Sequence, residues 1–440
     1  MAGVASTLQQ DATQLLQRLI RLNTVNPPGA ERAAQEMLAV QLREAGFEVH
    51  LHGAEPERPN LVARLRGSSD GPTLCLLSHV DTVLATPADW SHDPWSGDLA
   101  GGFVWGRGAL DMKSQTAAEV AAALSLAREG WRPAHGDLLV VCVADEETGG
   151  SLGAMWICEH HPELVRCDYL LNEGGGAVIP YDGGRYYGVC VAEKGVFRFR
   201  VTTDGIAGHA SIPRIGDNAL LKMAPLLAAM DANQPGYDLT DGPRALLEGL
   251  GLDPDGDAGG VEASLERLRA RDPVLAMLVE PLLGVTLAPT KITASSKINV
   301  IPASAVLSVD CRIPPGMGEE GALARIREVL GEDGYRLEFT EQVIGNQSPV
   351  SSPLMSAIER WIGEHDPGAR VVPTVLPGFT DSRTFRDAFP ECVAYGFFPQ
   401  RHTTLYETSP LIHSADERID VRDLGFAAGF FRDITKEMLG

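Results

Sequence analysis

The stretch LLVVCVADEETGG, residues 138–150, joins an apolar run to three consecutive acids and two glycines. The apolar and β-branched run 138–144 predicts a strand that is buried on both faces. Asp145, Glu146 and Glu147 follow at its carboxyl end, where open α/β sheets place their ligands. Adjacent carboxylates repel each other, so a cation beside them would explain the arrangement. An isolated pair of glutamates is otherwise most often a solvated loop.

Composition sets the limits of what the chain can be. With 440 residues, two domains are the expectation, and a net charge of −22 argues against nucleic acid or an anionic membrane as partner. The seven cysteines include no CxxC pair and are predicted to be free thiols in a reducing compartment. The first residues do not resemble a signal peptide, and no apolar run approaches the roughly 20 residues of a membrane span. We therefore expect a cytoplasmic protein.

The chain changes its pattern twice. Strands alternate with helices over 1–193 and again over 346–440, which predicts an α/β, three-layer α/β/α catalytic domain with a mostly parallel sheet. Between them, 194–345 contains strands with alternating apolar and polar residues, typical of half-exposed antiparallel sheets. This middle segment is predicted to be an inserted α+β lid or dimerisation domain, with an irregular stretch at 234–287.

Residues that could bind metal end several of the predicted strands. They are His79, Asp81, Asp111, Glu146, Glu147 and Glu173, and His413 lies before the last helix. A single histidine at a strand end is more often a loop residue than a ligand. Six such groups together favour a site, because imidazole and carboxylate ligands suit zinc and similar divalent ions. Two neighbouring ions also need a carboxylate that bridges them.

Seven motifs give the chain a resemblance to a known family. They are SHVDTV at 78–83, GRGALDMKS at 106–114, ADEETGG at 144–150, NEGGG at 172–176, GHAS at 208–211, NVIPASA at 299–305 and HSADERI at 413–419. In this order they resemble the dinuclear zinc hydrolases that include aminoacylase, glutamate carboxypeptidase G, succinyl-diaminopimelate desuccinylase and carnosinase-like dipeptidases. The motifs extend over nearly the whole chain.

The resemblance implies roles for the residues in these motifs. It implies two divalent ions: His79 and Glu173 on one, Glu147 and His413 on the other, and Asp111 bridging both. Glu146 would be the general base that activates a water and later protonates the leaving nitrogen. Asp81 would orient His79 through its free ring nitrogen. The Asp111–Met112 peptide bond is expected to be cis. Zinc is the expected metal, with cobalt and manganese as alternatives.

The resemblance implies four further candidates, three of them in the inserted segment and Gly378 after it. His209 resembles a histidine that reaches the other subunit's site in dimeric relatives and stabilises an oxyanion. Arg312 resembles an arginine that grips a substrate carboxylate, and Asn299 a substrate-contacting asparagine. Gly378 matches a loop that reads GGTD in relatives, with Phe379 in place of the second glycine. A homodimer would form through 197–203 or the predicted helix 218–230.

Together these features predict a metal-dependent hydrolase of amide bonds in small, carboxylate-bearing substrates. Two substrate classes stay open, N-acyl amino acids and dipeptides. The alternative from another class is a catalytically silent relative that binds a small ligand or serves in assembly. A second alternative is an aminopeptidase on the same catalytic fold. It is disfavoured because such enzymes often lack the inserted domain that this chain is predicted to have.

Overall fold

The computed structural model of the chain describes residues 2–256 and 259–440. Over these residues the helices are α1 (Ala2–Ile20), α2 (Arg32–Glu44), α3 (Lys113–Arg128), α4 (Ala154–His160), α5 (Pro162–Val165), α6 (Ala219–Ala232), α7 (Asp241–Gly249), α8 (Gly260–Arg271), α9 (Pro273–Val279), α10 (Glu319–Leu330), α11 (Pro353–His365), α12 (Asp381–Ala388), α13 (Leu405–Thr408) and α14 (Val421–Leu439). The strands are β1 (Glu48–His52), β2 (Asn60–Arg66), β3 (Thr73–His79), β4 (Leu99–Ala100), β5 (Phe103–Trp105), β6 (Asp137–Val143), β7 (Tyr169–Asn172), β8 (Ala177–Tyr181), β9 (Gly184–Glu193), β10 (Gly195–Val196), β11 (Phe199–Asp204), β12 (Gly208–His209), β13 (Thr286–Thr293), β14 (Val300–Ile301), β15 (Ser304–Ile313), β16 (Arg336–Phe339), β17 (Arg370–Leu376), β18 (Val393–Gly396), β19 (Gln400–Thr404) and β20 (Arg418–Asp420). Single turns of 3-10 helix lie at Pro87–Asp89, Glu146–Thr148, Glu280–Leu282 and Ser409–Leu411.

The chain divides into two units. Unit 1 comprises residues 1–191, 348–374 and 380–440, and unit 2 comprises residues 192–347 and 375–379. Unit 2 thus begins two residues earlier and ends two residues later than the predicted 194–345. It also takes in the short segment 375–379, which the sequence pattern assigned to the catalytic domain. The predicted function of the inserted segment as a lid or dimerisation domain stays a prediction.

The main sheet of unit 1 is parallel at its centre. The strand order is β1-β2-β6-β3-β7-β18-β9-β8-β19, and β6, β3, β7 and β18 run parallel to one another. The apolar runs in β3 and β6 are buried after their first residue, as expected for strands covered on both faces. The sheet confirms the predicted α/β class. Antiparallel partners at β1, β2, β9 and β8 extend it on either side.

Helices cover this sheet in two groups. Helices α1, α3 and α14 contact one another, and α3 and α14 also contact β3. Helix α4 contacts α12, which in turn contacts β7 and β18. The buried Nζ of Lys113 donates to the carbonyls of Leu19 and Leu22, 3.0 and 3.1 Å away. This lysine fastens the end of α1 to the start of α3, beside the turn that carries Asp111.

Unit 2 contains an antiparallel sheet with the order β13-β15-β11-β16, and β10 also pairs with β15. Helices α6 and α10 supply Met223 and Ile326 to the apolar core beneath it. Strand β11 lies between β15 and β16. Because both sides of β11 are already paired, this strand has no free edge for a second subunit, and the dimer contact through 197–203 or the helix 218–230 stays a prediction. The edges of this sheet are β13 and β16.

The seven cysteines are buried and free, which confirms the prediction of free thiols. Within the described residues, no helix has both the length and the apolar composition that crossing a membrane requires.

Candidate metal centre

Three strands of unit 1 bring their carboxyl ends to one place. His79 is the last residue of β3, Glu146 and Glu147 follow β6, and Glu173 follows β7. Because β3 pairs in parallel with both β6 and β7, these ends meet at the same edge of the sheet. Asp111 comes from the turn before α3, and His413 from the turn before β20.

Asp111 lies between two histidines. Its Oδ1 is 3.2 Å from Nε2 of His79, and its Oδ2 is 3.0 Å from Nε2 of His413. On the first side, Glu173 Oε1 lies 3.7 Å from His79 Nε2. On the second side, Glu147 Oε2 lies 3.2 Å from His413 Nε2. The structure therefore brings the five predicted ligands together as two sets that share one carboxylate.

Asp81 holds this arrangement in two ways. The Nδ1 of His79 lies 3.1 Å from the Asp81 carbonyl and 3.4 Å from its Oδ1, two acceptors to which Nδ1–H would donate, and Nε2 faces the carboxylates of the cluster. The Asp81 carboxylate also accepts hydrogen bonds from the backbone N–H groups of Glu146 and Glu147, each at 3.2 Å. The carboxylate thus fixes the turn that carries both glutamates.

A buried network that the sequence did not reveal supports Asp81. The Nδ2 of Asn26 donates to Asp81 Oδ2 at 2.9 Å and to Asp145 Oδ1 at 3.2 Å. Arg58, 5% exposed, lies 3.0 Å from Asp145 and forms a hydrogen-bonded pair with Glu31. No local sequence signal marks Asn26 or Arg58, because their partners lie far along the chain.

Two residues of the site have a left-handed backbone. Asp145 has φ 68° and His413 has φ 58°, a region that non-glycine residues adopt rarely. The side chain of Asp145 accepts hydrogen bonds from Thr148 Oγ1 and from the Leu152 backbone, which hold the turn in place. Such conformations persist where surrounding contacts over-determine them. The Asp111–Met112 peptide bond is cis, as the family resemblance implies.

Burial and the crowding of carboxylates make two glutamates of the cluster harder to ionise. Burial, followed by the charge of Glu173, raises the pKa of Glu146 well above its usual value. Burial and the charge of Asp111 do the same to the pKa of Glu173. Hydrogen bonds with Asp111 and Glu147 raise the pKa of His413 to about 10. Burial opposes ionisation of Asp111, but its bonds with both histidines outweigh this and lower its pKa.

This donor set fits a pair of divalent cations. Ligand atoms of His79, Asp111 and Glu147 lie within 4.8 Å of one another, and so do those of His79, Glu146 and Glu173. Imidazole and carboxylate donors suit zinc, cobalt and manganese alike. Cations would also offset the burial and the mutual repulsion that raise the pKa values of Glu146 and Glu173.

The four candidates of unit 2 lie in two pairs of neighbouring residues, His209 with Asn299 and Arg312 with Gly378. His209 lies in the ribbon of β12 and β14, and the next residue, Ala210, donates its backbone N–H to the Asn299 carbonyl at 3.1 Å. The backbone N–H and the hydroxyl of Ser211 lie 3.2 and 2.8 Å from Nδ1 of His209. Because a backbone N–H donates to Nδ1, the neutral ring carries its proton on Nε2.

Arg312 lies near the end of β15 and already has a carboxylate partner. Its Nε and Nη2 donate to Asp310 at 2.7 and 3.4 Å. Its Nη1 lies 3.5 Å from the Pro377 carbonyl, next to Gly378. The structure thus places the Gly378 loop beside Arg312, and part of the guanidinium faces away from Asp310 and is half-buried.

An α/β sheet that brings His79 from a strand end and His413 from a nearby turn to the two oxygens of one aspartate has the arrangement expected of a dinuclear metal-dependent amide hydrolase. The chain belongs to the peptidase family M20/M25/M40, whose family model matches residues 75–437. This confirms the resemblance found in the sequence, and with it an enzyme that hydrolyses amide bonds of small substrates with the help of metal ions.

The proteins that the chain resembles carry names of different hydrolases. The chain is 25% identical to a probable carboxypeptidase S-like 2 of Dictyostelium discoideum over 82% of this chain and 71% of that protein. It is 33% identical to a succinyl-diaminopimelate desuccinylase of Paracoccus denitrificans, a match that covers 59% of this chain and 65%, just under two thirds, of that enzyme. A solved M20 family metallo-carboxypeptidase from Sulfolobus solfataricus has the same fold, with a TM-score of 0.70 and 16% identity over 97% of this chain and 98% of that one.

Proposed function

We propose that the chain removes an acyl or aminoacyl group from small substrates that carry a free carboxylate, either N-acyl amino acids or dipeptides. The proposal depends chiefly on one observation: the two oxygens of Asp111 face different histidines, at 3.2 and 3.0 Å. His79 and Glu173 would hold one ion, Glu147 and His413 the other, and Asp111 both. Zinc is the metal that we propose.

The ions would supply the Lewis acidity that polarises the substrate carbonyl and lowers the pKa of water. Glu146 accepts the proton of the attacking water and returns it to the leaving nitrogen. Its side chain is 12% exposed and its Oε2 lies 3.9 Å from Nε2 of His79, so it borders the ligands and still reaches solvent. Burial raises the pKa of Glu146 above that of a free carboxyl, which makes it a stronger base towards water.

Two residues of unit 2 would act on the substrate. His209 would donate its Nε2–H to the carbonyl oxygen as negative charge develops there. Arg312 would bind the free carboxylate with the part of its guanidinium that faces away from Asp310. Asn299 and Gly378 would line the same substrate. The desuccinylase and carboxypeptidase relatives support each of the two substrate classes, so the choice between them is left to experiment.

We also propose that unit 2 forms a homodimer through α6 and the edge strand β13. On α6, Leu220 and Leu221 are 41% and 70% exposed, and on β13, Ile292 is 44% exposed. In the dimer, His209 would serve the partner's site. Mixing the inactive variants Glu146→Gln and His209→Ala tests this, because a mixed dimer would contain one intact site and restore about a quarter of the wild-type activity. Inactivity of the mixture, or a fully active monomer in sedimentation, would contradict the cross-subunit role.

The first experiment is metal analysis by mass spectrometry, run alongside hydrolysis of a mixed panel of N-acyl amino acids and dipeptides with and without a chelator. We expect about two ions per chain and cleavage that the chelator abolishes. The preferred substrates would then distinguish a deacylase from a dipeptidase. Absence of both metal and cleavage, even after zinc, cobalt or manganese is added, would favour the catalytically silent alternative.

A further inference from the structure

Glu417 has a fully buried carboxylate with three donors around it. Its side chain is 0% exposed. Its Oε2 accepts a hydrogen bond from Arg107 Nη1 at 2.5 Å, and its Oε1 accepts from the backbone N–H groups of Leu110 and Asp111 at 2.6 and 3.1 Å. This carboxylate therefore holds the backbone on which Asp111 is mounted.

The segment that carries Glu417 is fastened to the segment that carries Asp111 along its length. The Glu417 carbonyl accepts from the backbone of Gly106 at 3.0 Å. Directly after Glu417, β20 pairs with β5. Arg107 is itself fixed, because its Nη2 donates to the Leu84 carbonyl at 3.3 Å and its guanidinium lies 5.3 Å from the Trp90 ring centroid. His413 lies only four residues before Glu417 in the same segment.

The contacts of Glu417 hold together the side of the metal centre formed by Asp111 and His413. They do not involve the side formed by His79 and Glu173. His413 Nε2 lies 3.0 Å from Asp111 Oδ2, and the segments carrying the two residues are joined at Glu417. His79 and Glu173 instead come from β3 and β7, whose positions are fixed by the main sheet. Loss of the Glu417 carboxylate would therefore disturb the approach of His413 to Asp111 and leave the sheet-borne ligands in place.

We propose that Glu417 is a positioning residue that sets the affinity of the ion between Asp111, Glu147 and His413, with Arg107 as its charge partner. The inference rests on the ligand assignment of the proposed function. Residues that hold a metal ligand in place typically change metal affinity 10–100-fold when they are replaced. Glu417 does not touch substrate or metal in this role and acts through the approach of His413 to Asp111.

The test is zinc titration of the metal-free full-length chain, with a chromophoric chelator as competitor. In Glu417→Gln we expect one dissociation constant to rise about 10–100-fold and the other to change by less than about threefold. The curve should resemble that of His413→Ala and differ from that of His79→Ala. The matched control is Asp416→Asn, because Asp416 is the neighbouring acid and accepts from the Ser91 backbone at 2.6 Å, away from Asp111.

Thermal melting of the same metal-free proteins separates positioning from folding. Equal weakening of both ions together with a lower Tm would show that Glu417 is merely structural and overturn the inference, as would wild-type affinity for both ions. If Glu417→Gln does not fold, Glu417→Asp decides by the same criteria, since it keeps the charge for Arg107 and withdraws the carboxylate from the amides. Fewer than two ions in the wild type would instead contradict the proposed function.

Discussion

The candidate metal ligands of unit 1 and the candidate substrate-binding residues of unit 2 are held in place in different ways. In unit 1 the ligands come from strand ends and hydrogen-bonded turns, and His79 is 1% exposed. His413 is half-exposed, but Asp111 and Glu147 fix its ring. In unit 2, by contrast, His209 and Asn299 are exposed on the short ribbon of β12 and β14. A metal centre needs fixed atoms, whereas groups that receive a substrate must be reachable, so this difference matches the roles proposed for the residues of the two units.

The largest expected effect is the loss of kcat on replacing Glu146, in the buried cluster of unit 1. Glu146→Gln keeps the shape of the side chain and removes its ability to take a proton. We expect kcat to fall by about 10³–10⁴ while metal content stays at the wild-type value. Kinetics and metal analysis of the same preparation check this. Near-normal turnover would remove Glu146 from its assigned role.

His209→Ala tests the exposed side. Loss of one donor to the developing oxyanion should lower kcat by about 10²–10³ with little change in KM and none in metal content. The control is His160→Ala, an exposed histidine that stacks on Trp156 at 4.7 Å and should behave as the wild type. Loss of metal from His209→Ala would contradict the assignment of metal binding to unit 1 alone.

Arg312→Ala should act on binding. Because hydrogen bonds to a charged group contribute about 1.5–3 kcal/mol, KM for carboxylate substrates should rise about 10–100-fold with a smaller change in kcat. Arg200→Ala is the matched control, since Arg200 is an exposed arginine on the neighbouring strand β11. An unchanged KM would exclude Arg312 from the substrate pocket.

The smallest effect concerns the interior of unit 1. Burial raises the pKa of Glu119 to about 8 from 4.5, and its side chain is 0% exposed. Below pH 4.5 the carboxyl is protonated in both the folded and the unfolded chain. Between pH 4.5 and 8 only the unfolded chain ionises, so stability falls as pH rises and the full penalty is present above pH 8.

Glu119→Gln should therefore raise Tm by about 2–4 °C at pH 8 and leave it unchanged near pH 4.5. Glu129→Gln is a control of opposite sign, because hydrogen bonds with Arg432 lower the pKa of Glu129 and make its charge stabilising above its unfolded pKa. Melting curves across this pH range measure both. Equal Tm values for Glu119→Gln and the wild type at pH 8 would show that the buried carboxyl carries no penalty.

The sequence predicted what depends on local pattern. Buried apolar runs that end in His79, Glu146 and Glu173 are visible in the chain itself, because burial and strand direction follow from composition and order. Asp111 and His413 had weaker local signals and gained their roles through the family resemblance. Glu417 stood inside a quoted motif, yet its contact with Asp111 spans 306 positions and no periodicity encodes such a contact.

One missed element did have a local signal. The hairpin of β8 and β9 turns at Asp182 and Gly183, whose φ values are 49° and 76°. Asp-Gly between alternating strands favours this tight turn. The predicted change of pattern lies only near residue 193 and does not include this hairpin. The segment 375–379 contacts unit 2 in ways that the sequence does not show: the Lys194 backbone N–H donates to the Leu376 carbonyl at 3.0 Å, and Arg312 Nη1 lies 3.5 Å from the Pro377 carbonyl.

The pairing of β7 with β18 has a consequence during synthesis. Residues 169–172 pair with residues 393–396, which leave the ribosome about 220 residues later. At about 5–20 residues per second, β7 remains an unpaired parallel edge for on the order of 10–40 s. A nascent chain in this interval exposes an apolar strand edge to its neighbours, so the yield of active enzyme should depend on translation speed and on chaperones that shield such edges.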